Sequence, residues 1–244
     1  MENNLFVAMS GGIDSTALAL LLPDAELIFT DTEWEFDELY EHLERFEHFS
    51  GRVITRLCSP KGGLPNIIEE QQFFPNFHTR FCTRESKILP MNFFLKKHLP
   101  ATLCIGLRSD EPLRIGNLTS MDGLTIRYPL REAGMTRADC VALCDKYGLL
   151  PRYPIYMLRG GCKGCFFKSK KEIRALVTLR HDIADELQSL EESVQDQRKK
   201  FFHLFPNIGM SLADFRKQQE LFTPEEVYSS IQLDAAPCGV LCHK

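Results

Sequence analysis

Leu5 to Leu22, LFVAMSGGIDSTALALLL, carries an apolar β-type run straight into Ser-Gly-Gly and from there into a helix-type run. A glycine pair at such a junction lets backbone approach an anion closely, and the N–H groups at the start of the helix supply the attraction. The stretch therefore describes a phosphate cradle at Ser10, Gly11 and Gly12, with Ser10 and Ser15 as hydroxyl donors. Asp14 is placed either to cap the helix or to position a metal bound to phosphate. The same residues also suit a plain helix start without a ligand. The P-loop is excluded, because the spacing GxxxxGK[ST] and its lysine are absent.

Outward from that stretch, β-rich runs at Leu5–Met9, Glu26–Thr30, Arg52–Cys58 and Thr102–Leu107 alternate with helix-like segments over 14–22, 35–49, 83–97 and 136–146. Such a rhythm implies an α/β fold with a doubly wound, Rossmann-like parallel sheet. From Lys168 onward the pattern turns helical and charged on one side. The expected division is a nucleotide-binding domain with a cysteine cluster over 1–167 and a helical C-terminal subdomain over 168–244. Pro and Gly clusters at 59–66 and 157–165 supply the punctuation, with a boundary near Arg159.

With 244 residues and 44% hydrophobic content the chain can fill a sizeable core. It shows neither the features of a signal peptide nor an apolar stretch of membrane-span length, so the expectation is a cytoplasmic protein with no membrane partner. Nine cysteines, an odd number, suit metal or redox chemistry better than a disulfide framework. A formal charge of −4 argues against broad affinity for nucleic acid. One segment, CKGCFFKSKKEIR (162–174), is nevertheless locally basic. It reads either as a nucleic-acid contact with Phe166 and Phe167 stacking on bases, or as an exposed helix start with two buried phenylalanines.

SGGIDS resembles the PP-loop motif of the adenine-nucleotide α-hydrolase-like superfamily, whose members cleave ATP between the α and β phosphates. Further segments resemble, in order, motifs of the phosphoadenylyl-sulfate (PAPS) reductase family. FTDTEWEFDELYEHLERF (29–46) is similar to its DTG…ETY segment, with Glu33 in the glycine position, and CTRESKILP (82–90) to its CCxxRKxxP. GLRSDEPLR (106–114) is similar to GxRxxES…R, and YPL…GCKGC (128–165) to the final PL…GCxxC. The resemblance implies nucleotide contacts from Ser10, Gly11, Gly12, Asp14, Ser15, Asp31, Thr32, Arg108, Glu111 and Arg114. Asp14 and Arg108 would also serve the chemistry, with Mg²⁺ accompanying ATP. As a bland alternative, the charges near Arg108 form a surface ion-pair cluster of little energetic value.

Two departures bear on function. The loop is intact, whereas in true sulfonucleotide reductases it is usually degenerate, and Thr83 stands where the paired-cysteine motif has its second cysteine. Cys162 and Cys165 have the C-x-x-C spacing that lets two thiolates face one metal. The resemblance adds Cys82, and through TRADC (136–140) it makes Cys140 the preferred fourth ligand of an iron–sulfur cluster of the 4Fe-4S kind, with Cys238 and Cys242, or three ligands and an open iron site, as alternatives. Zinc is the alternative, since Cys140, Cys144, Cys162 and Cys165 are also spaced as C-x3-C and C-x2-C pairs. Cys58 and Cys104 read as packing residues.

The tail PCGVLCHK loosely echoes the reductase segment ECG[LI]H, which makes Cys238 and Cys242 candidate catalytic thiols. The leading expectation is an ATP pyrophosphatase that adenylates an acceptor for iron–sulfur-dependent sulfur transfer. It would need a sulfur-donor protein and an acceptor, nucleic acid among the candidates. The alternatives are a PAPS or adenylyl-sulfate reductase served by a thioredoxin-like reductant, and a noncatalytic nucleotide-sensing subunit.

Overall fold

A computed structural model describes residues 4–114, 121–158, 160–198, 203–219 and 224–226. Strand β1 (Asn4–Met9) lies at the centre of a five-stranded parallel sheet, with β2 (Glu26–Thr30) and β3 (Ile54–Leu57) on one side and β4 (Ala101–Cys104) and β5 (Leu124–Arg127) on the other. The order is β3-β2-β1-β4-β5. Central parallel strands are covered on both faces, which is why LFVAM and LIF are continuously apolar rather than alternating. Phe6, Val7, Ile28 and Leu103 are fully buried.

Helix α1 (Ile13–Leu21) follows β1, and α2 (Asp37–Ser50) follows β2. Next come α3 (Leu64–Gln71), α4 (Phe81–Thr83), a π turn over Arg84–Ile88 and α5 (Leu89–Lys96), the last three forming one continuous helical run. After β5 stand α6 (Pro129–Glu132) and α7 (Arg137–Lys146), the latter begun by a Thr136–Asp139 capping box. Helix α8 (Lys170–Leu179) has its own box, Ser169–Glu172, followed by α9 (His181–Arg198) and α10 (Leu212–Gln219).

The doubly wound parallel sheet is thus the architecture expected from the sequence. Several details differ, among them β5 and α6, for which no element was expected, and β4, which runs over Ala101–Cys104 rather than 102–107. The third strand shortens to Ile54–Leu57, and the helix α3 stands where glycines and prolines suggested only punctuation. Gly63 is its N-cap and Pro65 sits in its first turn, where a missing N–H costs nothing. The long helical pattern after Lys168 breaks at Arg180, whose backbone (φ −129, ψ 70) leaves the helical region before α9 begins.

The chain divides into two compact units. The first, 1–32, 37–60 and 83–152, contains the whole sheet with α1, α2, α5, α6 and α7. The second gathers 33–36, 61–82 and 153–244, hence α3, α8, α9 and α10. Within it Glu191, almost wholly buried, accepts the N–H groups of Leu204 and Leu212 at 2.8 and 2.6 Å, which ties the chain around α10 to α9.

Candidate functional site

In the first unit, β1 sits where the strand order reverses, between β2 and β4. In an open α/β sheet this switch point opens a crevice beyond the carboxyl ends of the strands. Ser10-Gly11-Gly12 leaves β1 there, and Ile105 to Arg108 leaves β4 beside it. Gly11 has φ +72, a left-handed turn that glycine enters without strain. Gly12 is the N-cap of α1 and brings no capping side chain to its first N–H groups.

The serines shape this loop. Ser10 Oγ donates to Ser15 Oγ at 3.0 Å, and Ser15 Oγ donates to the Gly12 carbonyl at 3.0 Å. Thr16 Oγ1 donates to the same carbonyl at 3.0 Å and lies 2.9 Å from His42 Nε2. Arg45 Nη2 is 3.1 Å from His42 Nδ1. Because arginine can only donate, Nδ1 is the acceptor, so Nε2 carries the proton and donates to Thr16. Burial, with help from the Arg45 charge, lowers the His42 pKa to about 4 and keeps the ring neutral. Thr16 follows SGGIDS and His42 lies within the 29–46 segment, but neither is one of the motif residues; a buried histidine in an otherwise amphipathic helix was the available signal.

Asp14 points both carboxylate oxygens at arginines: Arg108 Nη1 lies 2.5 Å from Oδ2 and Arg137 Nη1 lies 3.1 Å from Oδ1. Arg108 also pairs with Asp110 at 2.9 Å and Glu111 at 3.4 Å, and Glu111 with Arg114 at 3.2 Å. Burial alone would depress the Arg108 pKa, but the hydrogen bond to Asp110 and the charges of Asp14 and Glu111 raise it. Gly106 permits the approach, since a Cβ there would stand 3.1 Å from the Asp14 carbonyl carbon and oxygen. Arg131 braces the segment from below, donating from Nη2 to the carbonyls of Glu111 and Arg114 at 2.8 and 3.0 Å. Arg131 and Arg137 escaped the sequence reading because nothing local marks a brace to a distant loop.

Asp31, at the carboxyl end of β2, accepts the Tyr40 hydroxyl at 2.7 Å; it and Thr32 are buried. Glu33, in the position of the family's glycine, has φ +52. The residue type departs from the motif while the left-handed backbone that favours glycine is kept.

Cys140 and Cys144 lie fully buried in α7, in the first unit. Burial, followed by the Asp14 charge, pushes the Cys140 thiol up to about 11; burial, followed by Cys140, pushes Cys144 up to about 12. Cys144 Sγ donates to the Ile13 carbonyl at 3.5 Å.

Cys82, Cys162 and Cys165 belong to the second unit and are half-buried. Gly160 and Gly161 have φ +66 and +88, and the Cys165 N–H meets the Cys162 carbonyl at 3.2 Å, so the C-x-x-C forms a tight turn. Gly164 inside that turn lies against Trp34, since a Cβ would come within 2.1 Å of the indole. The Trp34 carbonyl accepts the Lys163 N–H at 3.0 Å, and its indole N–H donates to Glu186 at 2.6 Å. Lys168, almost fully buried, donates to the Tyr156 carbonyl at 3.0 Å. Burial lowers its pKa, while the charges of Glu172, Cys165 and Cys162 oppose that shift.

The soft thiol pair of this turn fits a metal or a cluster as one side of a cage. A closed cage is not assembled: among the described residues no three His, Cys, Asp or Glu side chains stand together as metal ligands. Cys238 and Cys242 lie outside the described residues. Among the described residues no helix is long and apolar enough to cross a membrane.

Residues 4–121 match the family model described as the phosphoadenosine phosphosulfate reductase domain. Over that stretch, just under half of its length, the chain is similar to that family. The family's members are enzymes, and they bind adenine nucleotides. Among solved structures, the PAPS-reductase-like chain is similar to phosphoadenylyl-sulfate reductase from Candida auris, in its phosphate complex, with 14% identity and a TM-score of 0.49, over 60% of this chain and 73% of that one. It is also similar to the U34-tRNA thiolase NcsA from Methanococcus maripaludis with its [4Fe-4S] cluster, with 16% identity and a TM-score of 0.47, over 91% of this chain and 73% of that one. No curated protein matches the chain.

Proposed function

We propose that this PAPS-reductase-like chain is an adenylating ATP pyrophosphatase. The observation that carries the reading is the intact Ser10-Gly11-Gly12 cradle, with Asp14 clasped by Arg108 and Arg137 at its rim. ATP would lay its β and γ phosphates against the loop and the start of α1, where N–H groups and the helix dipole favour negative charge. An acceptor oxygen then attacks the α phosphorus. The bond to the bridging oxygen breaks, and pyrophosphate leaves with the electron pair, its charge met by the loop amides, Arg108 and Arg137. Bound Mg²⁺ would add neutralisation at the phosphates, with Asp14 as the nearby carboxylate.

A sulfur nucleophile from a donor protein would next displace AMP from the adenylated acceptor. Cys82, Cys162 and Cys165 would hold an iron–sulfur cluster, or zinc in its place, and the chemistry an iron–sulfur cluster would supply there is an iron able to carry sulfide.

A second reading, sulfonucleotide reduction, is supported by the description of the matched family. There Cys238 or Cys242 would attack the sulfur of a sulfated adenylate, and a thioredoxin-like reductant would release sulfite. An anaerobic titration with Mg-ATP, adenylyl sulfate and its 3′-phosphorylated form separates the two. Tighter ATP binding, with pyrophosphate formed when an acceptor is added, supports adenylation. Preference for a sulfated nucleotide overturns it in favour of reduction.

A further inference from the structure

In the second unit, the segment around Phe77 and the segment after the cysteine turn meet through aromatic rings. Phe77 is 56% exposed, yet its ring is held edge-on by both Phe166 and Phe167, with centroids 5.3 Å away in each case. Phe166 is buried and so offers no face for stacking, while Arg80 lays its guanidinium over Phe167, 5.2 Å from the ring centroid. Asn76 fixes the loop: its Oδ1 accepts the N–H groups of His78 and Thr79, both at 2.9 Å. Phe77 is thereby presented to solvent on an ordered turn. Beside it opens a cavity of 360 Å³ lined by Phe74, Asn76, Phe77, His78, His203 and Pro206.

The segments that carry these rings are free of acidic residues. The chain is acidic overall, with 33 Asp and Glu against 29 Lys and Arg. No carboxylate occurs between Glu70 and Glu85, between Asp145 and Glu172, or between Asp196 and Asp214, and every residue lining the cavity or touching its rings falls in those stretches. Arg80, Lys170 and Lys171 are exposed within them. An apolar partner protein would need only the rings. A surface that pairs an exposed aromatic with cations suits a ligand alternating planar bases and phosphates.

We propose that Phe77 and its cavity bind an unpaired base of a single-stranded nucleic acid, with Arg80 and the start of α8 on the flanking phosphates. The site names the class of acceptor for the adenylation reading and rests on that reading only in this respect. Binding is measured without ATP, so failure of the site and failure of adenylation are told apart.

The test is fluorescence anisotropy of the full chain with a short labelled oligouridylate, the matching oligothymidylate and a blunt duplex. Single strands are expected to bind more tightly than duplex. Phe77→Ala should weaken them by about tenfold or more, the usual loss for one base–aromatic stack. Arg80→Glu should weaken them too and lower the salt-dependence slope by about 0.7. Both side chains are largely exposed, and circular dichroism confirms that the variants fold. Preference between the two single strands assigns the ligand to RNA or DNA. Equal binding of duplex, or affinity unchanged in both variants, overturns the proposal. Absence of all binding also overturns it and leaves the aromatic face to a protein partner.

Discussion

Arg108 reaches across from the end of β4 to place Nη1 2.5 Å from Asp14 Oδ2 in the first turn of α1. The two residues are 94 positions apart. Their contact joins the loops that leave adjacent strands at the switch point of the sheet. Arg108 is simultaneously held by Asp110 and Glu111, so its guanidinium is fixed in direction before any ligand arrives. On the proposed reading, a cation held in this way would need no reorganisation as charge develops on the leaving pyrophosphate.

Asp14→Ala is therefore expected to lower pyrophosphate release by about a hundredfold or more. Stability should change by less than about 2 kcal/mol, because Arg108 keeps two other carboxylates and no buried charge is orphaned. Pyrophosphate detection beside a thermal melt measures both. Cleavage retained at the wild-type rate would remove Asp14 from the chemistry.

Arg131→Lys tests the brace beneath the same loop. Lysine keeps the charge but cannot fork between the carbonyls that Arg131 joins at Glu111 and Arg114. The expected result is a several-fold weaker ATP affinity with a melting temperature close to wild type, read by calorimetry. Unchanged affinity would reduce Arg131 to a surface residue.

Burial of His42, followed by the charge of Arg45 beside it, makes stability depend on pH. The folded-state pKa of His42, about 4, lies below the ordinary 6.5, so the unfolded chain takes up the proton first as pH falls. The stabilising contribution is complete above pH 6.5 and is lost progressively as pH drops toward 4. Between pH 7 and pH 5 the loss is about 2 kcal/mol. Urea unfolding at the two pH values should show it, and His42→Gln should remove most of the difference. An equal pH response in the variant would assign the effect to other groups.

Much of this was legible in the amino-acid order. The passage from LFVAM through Ser-Gly-Gly into α1 is local, and so is the boundary of β2 at Glu26–Thr30. Glycine conformation, strand hydrophobicity and helix capping all act over a few residues. The partners of Asp14 were half legible: Arg108 lies in a motif, whereas Arg137 meets Asp14 across 123 positions with nothing beside it to mark the contact. Trp34 shows the same limit. Its packing on Gly164 brings 33–36 into the second unit, a placement set by tertiary fit. The helix α3 was hidden for the opposite reason, since the Gly and Pro that looked like breakers are its start signals.

That packing yields the last prediction. A Cβ on residue 164 would stand 2.1 Å from Trp34 Cη2, far inside contact distance, and neither the turn backbone nor the buried ring can yield cheaply. Gly164→Ala should cost about 3 kcal/mol or more, at the upper end of overpacking penalties. It should also displace Cys162 and Cys165 from each other. If those thiols hold iron, anaerobically prepared Gly164→Ala should lose iron and acid-labile sulfide together, as should Cys162→Ser, whose side chain keeps the shape but not the soft donor. Trp34→Ala removes the obstacle, so Gly164→Ala placed in that background should cost much less than it does alone. Additive losses would mean that the indole does not set the turn, and full iron content in Cys162→Ser would exclude that thiol as a ligand.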